Sequence, residues 1–231
     1  MRRVYKMVET RPVETGWGVF LDGRPLRTPA KRELAVPHER LAAAIAAEWD
    51  AQDIDIRLHT MPLTRLAATA LDHTATARDR IVAEIANYAG TDLVCYRAEG
   101  PPQLVARQHE TWQPLIDWAA GRYDAGLAVT AGVLPQPQSP ASLKAFAGIV
   151  AALDDFRLTA LQAVTGACGS LVIGLALLEG RLDAETAFAA SQLDETFQIE
   201  AWGEDAEATH RRALLAEDIR ATARFLELLG R

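Results

Sequence analysis

Hydrophobic periodicity in this chain changes at Pro37, and that switch restricts the fold more than any other feature. Before it the pattern is extended. The run Trp17–Thr28, WGVFLDGRPLRT, sets Asp22-Gly23 between two short extended stretches, a strong hairpin signal. Lys31–Val36 offers a further strand. After Pro37, His38–Asp50 places Leu41, Ile45 and Trp49 at i, i+4 and i+8, the spacing of one helix face. Helical spacing then dominates Leu63–Leu71, Ala75–Ala89, Gln103–Tyr123, Ala141–Leu153, Ala184–Trp202 and Glu204–Leu229, with a short strand expected at Leu93–Arg97 and a proline-rich connector at Gly132–Pro140. Segregated elements of this kind predict an α+β chain, with a small β-rich domain over 1–58 and a larger helical domain over 59–231.

The segment Leu158–Leu178 carries no charge over about the length of a membrane span. Its Thr, Gln, Ser and three Gly residues dilute it, and aromatic anchors are missing from its ends, so it reads as a buried helix or as two half-helices meeting near Gly166–Gly169. No membrane insertion is expected. The net charge of −7 argues against a generally basic nucleic-acid binder. Residues 1–32 nevertheless hold eight basic residues against three acidic ones, a patch expected to be a solvated strand face, with an acidic partner surface or RNA as the alternative reading. Cys95 and Cys168 form no C-x-x-C pair and indicate neither zinc nor a disulfide framework.

Motifs that carry chemistry are sparse. Glu207-Ala-Thr-His210 is a Glu-x-x-His pair of the kind found in di-iron carboxylate bundles, but such sites use two copies and this chain has one. A metal-dependent carboxylate enzyme built on Glu207 and His210 is therefore the alternative reading. Gly169-Ser170 lacks the spacing of a nucleophile elbow, and no phosphate-binding loop occurs. No catalytic residue, metal or cofactor is assigned.

The densest mixture of acids and aromatics is Leu193–His210, LDETFQIEAWGEDAEATH. In one helix, Ala190, Leu193, Phe197 and Ala201 would form an apolar stripe beside a mixed stripe of Asp194, Glu195, Gln198, Ile199 and Trp202. Gly203 would end that helix, and Glu204, Asp205 and Glu207 would begin the next, where the helix dipole favours negative charge. Trp49 and Trp112 have the registers of core residues, whereas Trp202 sits at a helix end among acids.

Five blocks in order, LDGRPLRTPAK (Leu21–Lys31), AEWDAQD (Ala47–Asp53), MPLTRLAA (Met61–Ala68), YAGTDLVCYR (Tyr88–Arg97) and QIEAWG (Gln198–Gly203), together resemble the F1-ATPase assembly chaperone family that acts on the α subunit. The resemblance implies a β-rich N-terminal domain, a helical C-terminal domain, no enzymatic activity and no cofactor. It implies that the chain binds free F1 α subunit and shields its exposed interface until α pairs with β. The expected partner-binding residues are Asp194, Glu195, Gln198, Ile199, Trp202, Glu204 and Asp205. Mitochondrial members carry a targeting extension that this sequence lacks, so a bacterial cytoplasmic location is expected, the matrix being that of eukaryotic relatives. Oligomeric state is left open, with a monomer the expectation.

Overall fold

A computed structural model describes residues 2–132, 134–203 and 205–230. The fold is α+β, with strands concentrated near the N-terminus and helices beyond. Contacts divide the chain into two compact units, the first comprising Met1–Arg78, Asp154–Ala160 and Ala221–Arg231, the second Asp79–Leu153 and Leu161–Arg220.

In the first unit, β1 (Val8–Val13) pairs antiparallel with β2 (Gly16–Leu21), and β2 turns at Asp22-Gly23 into β3 (Arg24–Pro25). Asp22 and Gly23 have φ of 48° and 76°, the paired positive angles that match a tight hairpin to strand twist. The Asp22 carboxylate also accepts the backbone N–H groups of Lys6 (3.0 Å) and Met7 (2.9 Å), which hold its pKa below the usual carboxylate range. Of the strand expected over Lys31–Val36, only β4 (Ala35–Val36) forms, against the start of β2. Lys31 has φ 66° and donates its N–H to the Thr28 carbonyl, so the chain there is a turn.

Helix α1 (Glu39–Asp50) buries Leu41, Ile45 and Trp49, the face its spacing marks, and packs on β1 and β2. Its Glu48 carboxylate accepts from Leu63 N–H (2.7 Å), Thr64 N–H (2.8 Å) and the Thr64 hydroxyl (2.7 Å) at the start of α2 (Pro62–Thr69). Those bonds satisfy donors that a helix start leaves open, and they tie α2 to α1. The boundary expected at Leu58 consequently lies inside the first unit. A π-helical turn at Ala70–Thr74 joins α2 to α3 (Ala75–Asn87), so helix runs on between the two expected segments; Asp72 on that turn accepts from the Thr28 hydroxyl (2.7 Å) and Ala30 N–H (2.9 Å).

The second unit contains α4 (Pro102–Tyr123), α5 (Pro140–Ala151), α7 (Leu171–Leu178), α8 (Ala184–Ser191) and α9 (Leu193–Trp202), with much of α6 (Asp155–Cys168) and α10 (Ala206–Leu228). Two short strands, β5 (Tyr96–Arg97) and β6 (Thr130–Ala131), pair in parallel. Only the end of the expected strand Leu93–Arg97 is extended, because Asp92 caps a 3-10 turn over Leu93–Cys95. The uncharged segment divides as its glycines suggest: Gly169 has φ 64° and Ser170 caps α7 by accepting from Ile173 N–H (3.0 Å). At Gly174 an added Cβ would stand 2.7 Å from the Thr165 hydroxyl, so glycine permits the close approach of α6 and α7. Among the described residues no helix is long and apolar enough to cross a membrane.

The start of α7 rests on a wholly buried carboxylate. Asp92 accepts from Ser170 Oγ (2.5 Å), Val172 N–H (3.0 Å) and Val94 N–H (3.3 Å). Burial outweighs these donors and pushes its pKa up from 3.8 to about 6. A raised folded-state pKa means that the folded protein holds this proton more tightly than the unfolded chain. The resulting contribution to stability is full below the ordinary aspartate value and is lost as pH rises through about 6. Asp92→Ala is predicted to strand two buried N–H donors, cost about 3 kcal/mol and lower Tm by about 6–12 °C. Chemical denaturation at pH 4 to 8 should show the variant without the wild-type loss of stability across the pH 4–6 window.

Candidate functional site

Helix α9 begins where the sequence pattern reads straight on. Gln192 (φ −112°, ψ 24°) separates α8 from α9, so Ala184–Trp202 is two helices and the expected stripe of Ala190, Leu193, Phe197 and Ala201 is broken. Ala190 and Leu193 are buried on either side of the break, while Ala201 is exposed. The junction is fixed from α4. Trp112, fully buried, donates its indole N–H to the Ala190 carbonyl (2.8 Å). One turn earlier, Gln108 is 1% exposed, donates to Asp194 Oδ1 (2.8 Å) and accepts from Ala98 N–H (2.7 Å). Arg97 completes the cluster: it donates to the Gln108 carbonyl (2.6 Å), its guanidinium lies 5.1 Å from the centre of the Trp112 ring, and burial lowers its pKa from the ordinary arginine value.

Farther along α9, Arg107 reaches Glu200 (2.6 Å) and lies 5.5 Å from the centre of the Phe197 ring. Asp194, Phe197 and Glu200 thus form the edge of α9 that meets α4. Because both charges are about half exposed, the Arg107–Glu200 pair contributes at most about 1 kcal/mol. The bonds given by the buried Gln108 and Trp112 side chains do the holding.

The opposite edge is left for other use. Gly203 (φ 87°) ends α9 and donates its N–H to the Ile199 carbonyl (2.8 Å); Asp205 then caps α10 by accepting from Glu207 and Ala208 N–H, both at 2.9 Å. Between the two helices lies a groove of about 530 Å³. Glu195, Gln198, Ile199, Trp202 and Asp205 of the expected set line it, whereas Asp194 is turned to Gln108 and Glu204 lies outside the described residues. Trp202 is 80% exposed, an unusual position for so large an apolar surface.

The far wall went unread in the sequence. It consists of Ala208, Arg211, Arg212 and Leu215, with Gln192 at one end. Their i, i+3, i+4, i+7 spacing is a helix-face signal, but the charges of the two arginines mask it. Arg212 is committed within the hairpin: it donates to Thr196 Oγ1 (2.9 Å) and Gln192 Oε1 (3.3 Å), and lies 5.4 Å from the centre of the Phe188 ring. Arg211 faces Glu207 at 3.8 Å. Glu195 has no hydrogen bond or ion pair among the described residues. Glu207 and His210 are both exposed, and among the described residues no three His, Cys, Asp or Glu side chains gather into a metal-binding group.

Comparison with known proteins gives this geometry its context. The family profile described as ATP12 chaperone protein matches residues 2–120, just over half of the chain. The chain belongs to the ATP12 chaperone family. It is thereby one of the chaperones of F1 ATP synthase assembly, the family that its sequence blocks resemble. The crystal structure of Atp12 from Paracoccus denitrificans is 47% identical, with a TM-score of 0.95 over 99% of this chain and 98% of that one. A mutant of P. denitrificans Atp12p matches equally well, at 46% identity over 99% and 97%. The mitochondrial protein atp12 of Schizosaccharomyces pombe is 26% identical over 214 residues, 87% of this chain and 74% of that protein. The α9–α10 groove lies beyond the part matched by the ATP12 profile, within a chain that the Paracoccus Atp12 structures match almost throughout.

The two edges of α9 should respond differently to substitution. Gln108→Ala is expected to cost about 2 kcal/mol by stranding Ala98 N–H and freeing Asp194, whereas Glu195→Lys should leave stability within about 0.5 kcal/mol of the parent. Thermal unfolding followed by circular dichroism measures both.

Proposed function

We propose that this chain binds the free α subunit of F1 ATP synthase and covers its assembly interface until the β subunit replaces it. The observation that carries the reading is Trp202: a large aromatic, 80% exposed, at the mouth of a groove whose walls are held by buried contacts elsewhere. A subunit made for an obligate ring exposes apolar surface before it is assembled, and such surface associates wrongly. A temporary cover needs moderate apolar contact inside a polar rim, so that the permanent partner can displace it. Ile199, Leu215 and Trp202 supply apolar surface; Glu195, Gln198 and Asp205 supply the rim. The docking residues in this reading are Glu195, Gln198, Ile199, Trp202 and Asp205, and the work is done in a bacterial cytoplasm without a cofactor or catalysis.

Co-purification of the tagged protein with free F1 α, free F1 β and assembled F1 tests this directly. Selective enrichment of free α is expected; equal recovery of all three, or none of α, contradicts it. Trp202→Ala should weaken capture of α by about tenfold or more, the scale of a central aromatic contact, with its Tm unchanged.

A further inference from the structure

The lining of the α9–α10 groove is specific about what it lacks. Four of its side chains are ionisable: Glu195, Asp205, Arg211 and Arg212. Asp205 is engaged as the cap of α10, Arg212 is fastened to Thr196, Gln192 and the Phe188 ring, and Arg211 faces Glu207. Glu195 alone among these four has no partner among the described residues. One turn along the same edge of α9 stands Ile199, with Leu215 across the groove, and one turn beyond is the exposed indole of Trp202. A carboxylate without a direct partner among the described residues is therefore followed, at helical spacing, by apolar Ile199 and Leu215 and by an aromatic face. The cavity, about 530 Å³, is within the range of about 300–1,000 Å³ that takes a compact ligand; that is room for a few side chains, not for a whole helix.

We propose that the groove takes one helical turn of the client chain, carrying an Arg or Lys three or four residues from a large aliphatic side chain. This rests on the reading of the groove as the client-binding face and adds the chemistry that selects the client. The cation meets Glu195, and the aliphatic side chain lies on Ile199 and Leu215. Residues three and four apart on a helix stand about 5–6 Å from each other, which matches the one-turn step from Glu195 to Ile199. The Trp202 indole closes over the aliphatic group or takes the flank of the cation. A segment with an acid in the basic position would place like charges together at Glu195 and be rejected.

Overlapping 15-residue peptides spanning F1 α and F1 β, immobilised on a membrane and probed with the full chain, test the proposal. Retained peptides are expected to share the basic–aliphatic spacing. Probing with Glu195→Gln should lower their signal at least fivefold, and with Glu195→Lys further. In each retained peptide, exchanging the basic residue for Glu should abolish retention by the parent and restore it to Glu195→Lys. Retention of acidic or purely apolar peptides, signals indifferent to residue 195, or retention of no peptide from either subunit would overturn the proposal. The α-subunit reading fails separately: peptides of β alone showing the basic–aliphatic pattern would uphold the groove chemistry and reject that client. Capture of whole α that ignores residue 195 would do the reverse.

Discussion

Two hydrogen bonds donated by buried side chains, one helical turn apart on α4, decide where the exposed edge of α9 points. Trp112 gives its indole N–H to the Ala190 carbonyl, and Gln108 gives its amide to Asp194. They grip the chain on both sides of Gln192, where helical geometry fails, and so fix the direction in which α9 leaves α8. Buried donors of this kind are costly to strand, so the junction resists being opened. With Asp194, Phe197 and Glu200 turned toward α4, the helix has no choice but to offer Glu195, Ile199 and Trp202 on its other side.

The charges follow the same division. On the α4 side every acid of α9 has a donor: Gln108 for Asp194, Arg107 for Glu200. On the groove side Arg212 is fastened within the protein and Arg211 lies 3.8 Å from Glu207, while Glu195 makes no hydrogen bond or ion pair among the described residues. Surface ion pairs contribute little to stability, so freeing or binding Glu195 alters the fold hardly at all. A surface arranged in this way can be selective toward a partner without being needed for folding, which suits a chaperone that must hold and then release.

Much of the fold could be read from the sequence because its signals were local. The Asp22-Gly23 turn, the Leu41, Ile45, Trp49 face and the break at Gly169-Ser170 each depend on residues within a few positions of one another. What escaped depends on distant partners or on backbone breaks without a marker. No Gly or Pro announces the break at Gln192. Nothing in the sequence signals that Asp92 will meet Ser170 and Val172, 78 and 80 residues away, and the same carboxylate accepts from Val94 N–H, the local cap that turns Leu93–Cys95 into a 3-10 turn. In the same way Asp194 has the helical register of a docking residue, yet Gln108, 86 residues earlier, claims it. The near wall of the groove was legible from 3.6-residue spacing; the far wall, on α10, needed the hairpin to be closed before Arg211, Arg212 and Leu215 faced it.

In the proposed function the partner docks on the groove edge of α9 and the first turns of α10. Hydrogen–deuterium exchange of the chain with and without unassembled F1 α subunit measures this most directly. Slowed exchange concentrated in Glu195–Gly203 and Asp205–Leu215, with the Asp92–Val94 and Ser170–Val172 segments unchanged, is the predicted result. Protection confined to the N-terminal strands, or spread evenly over the chain, would contradict it.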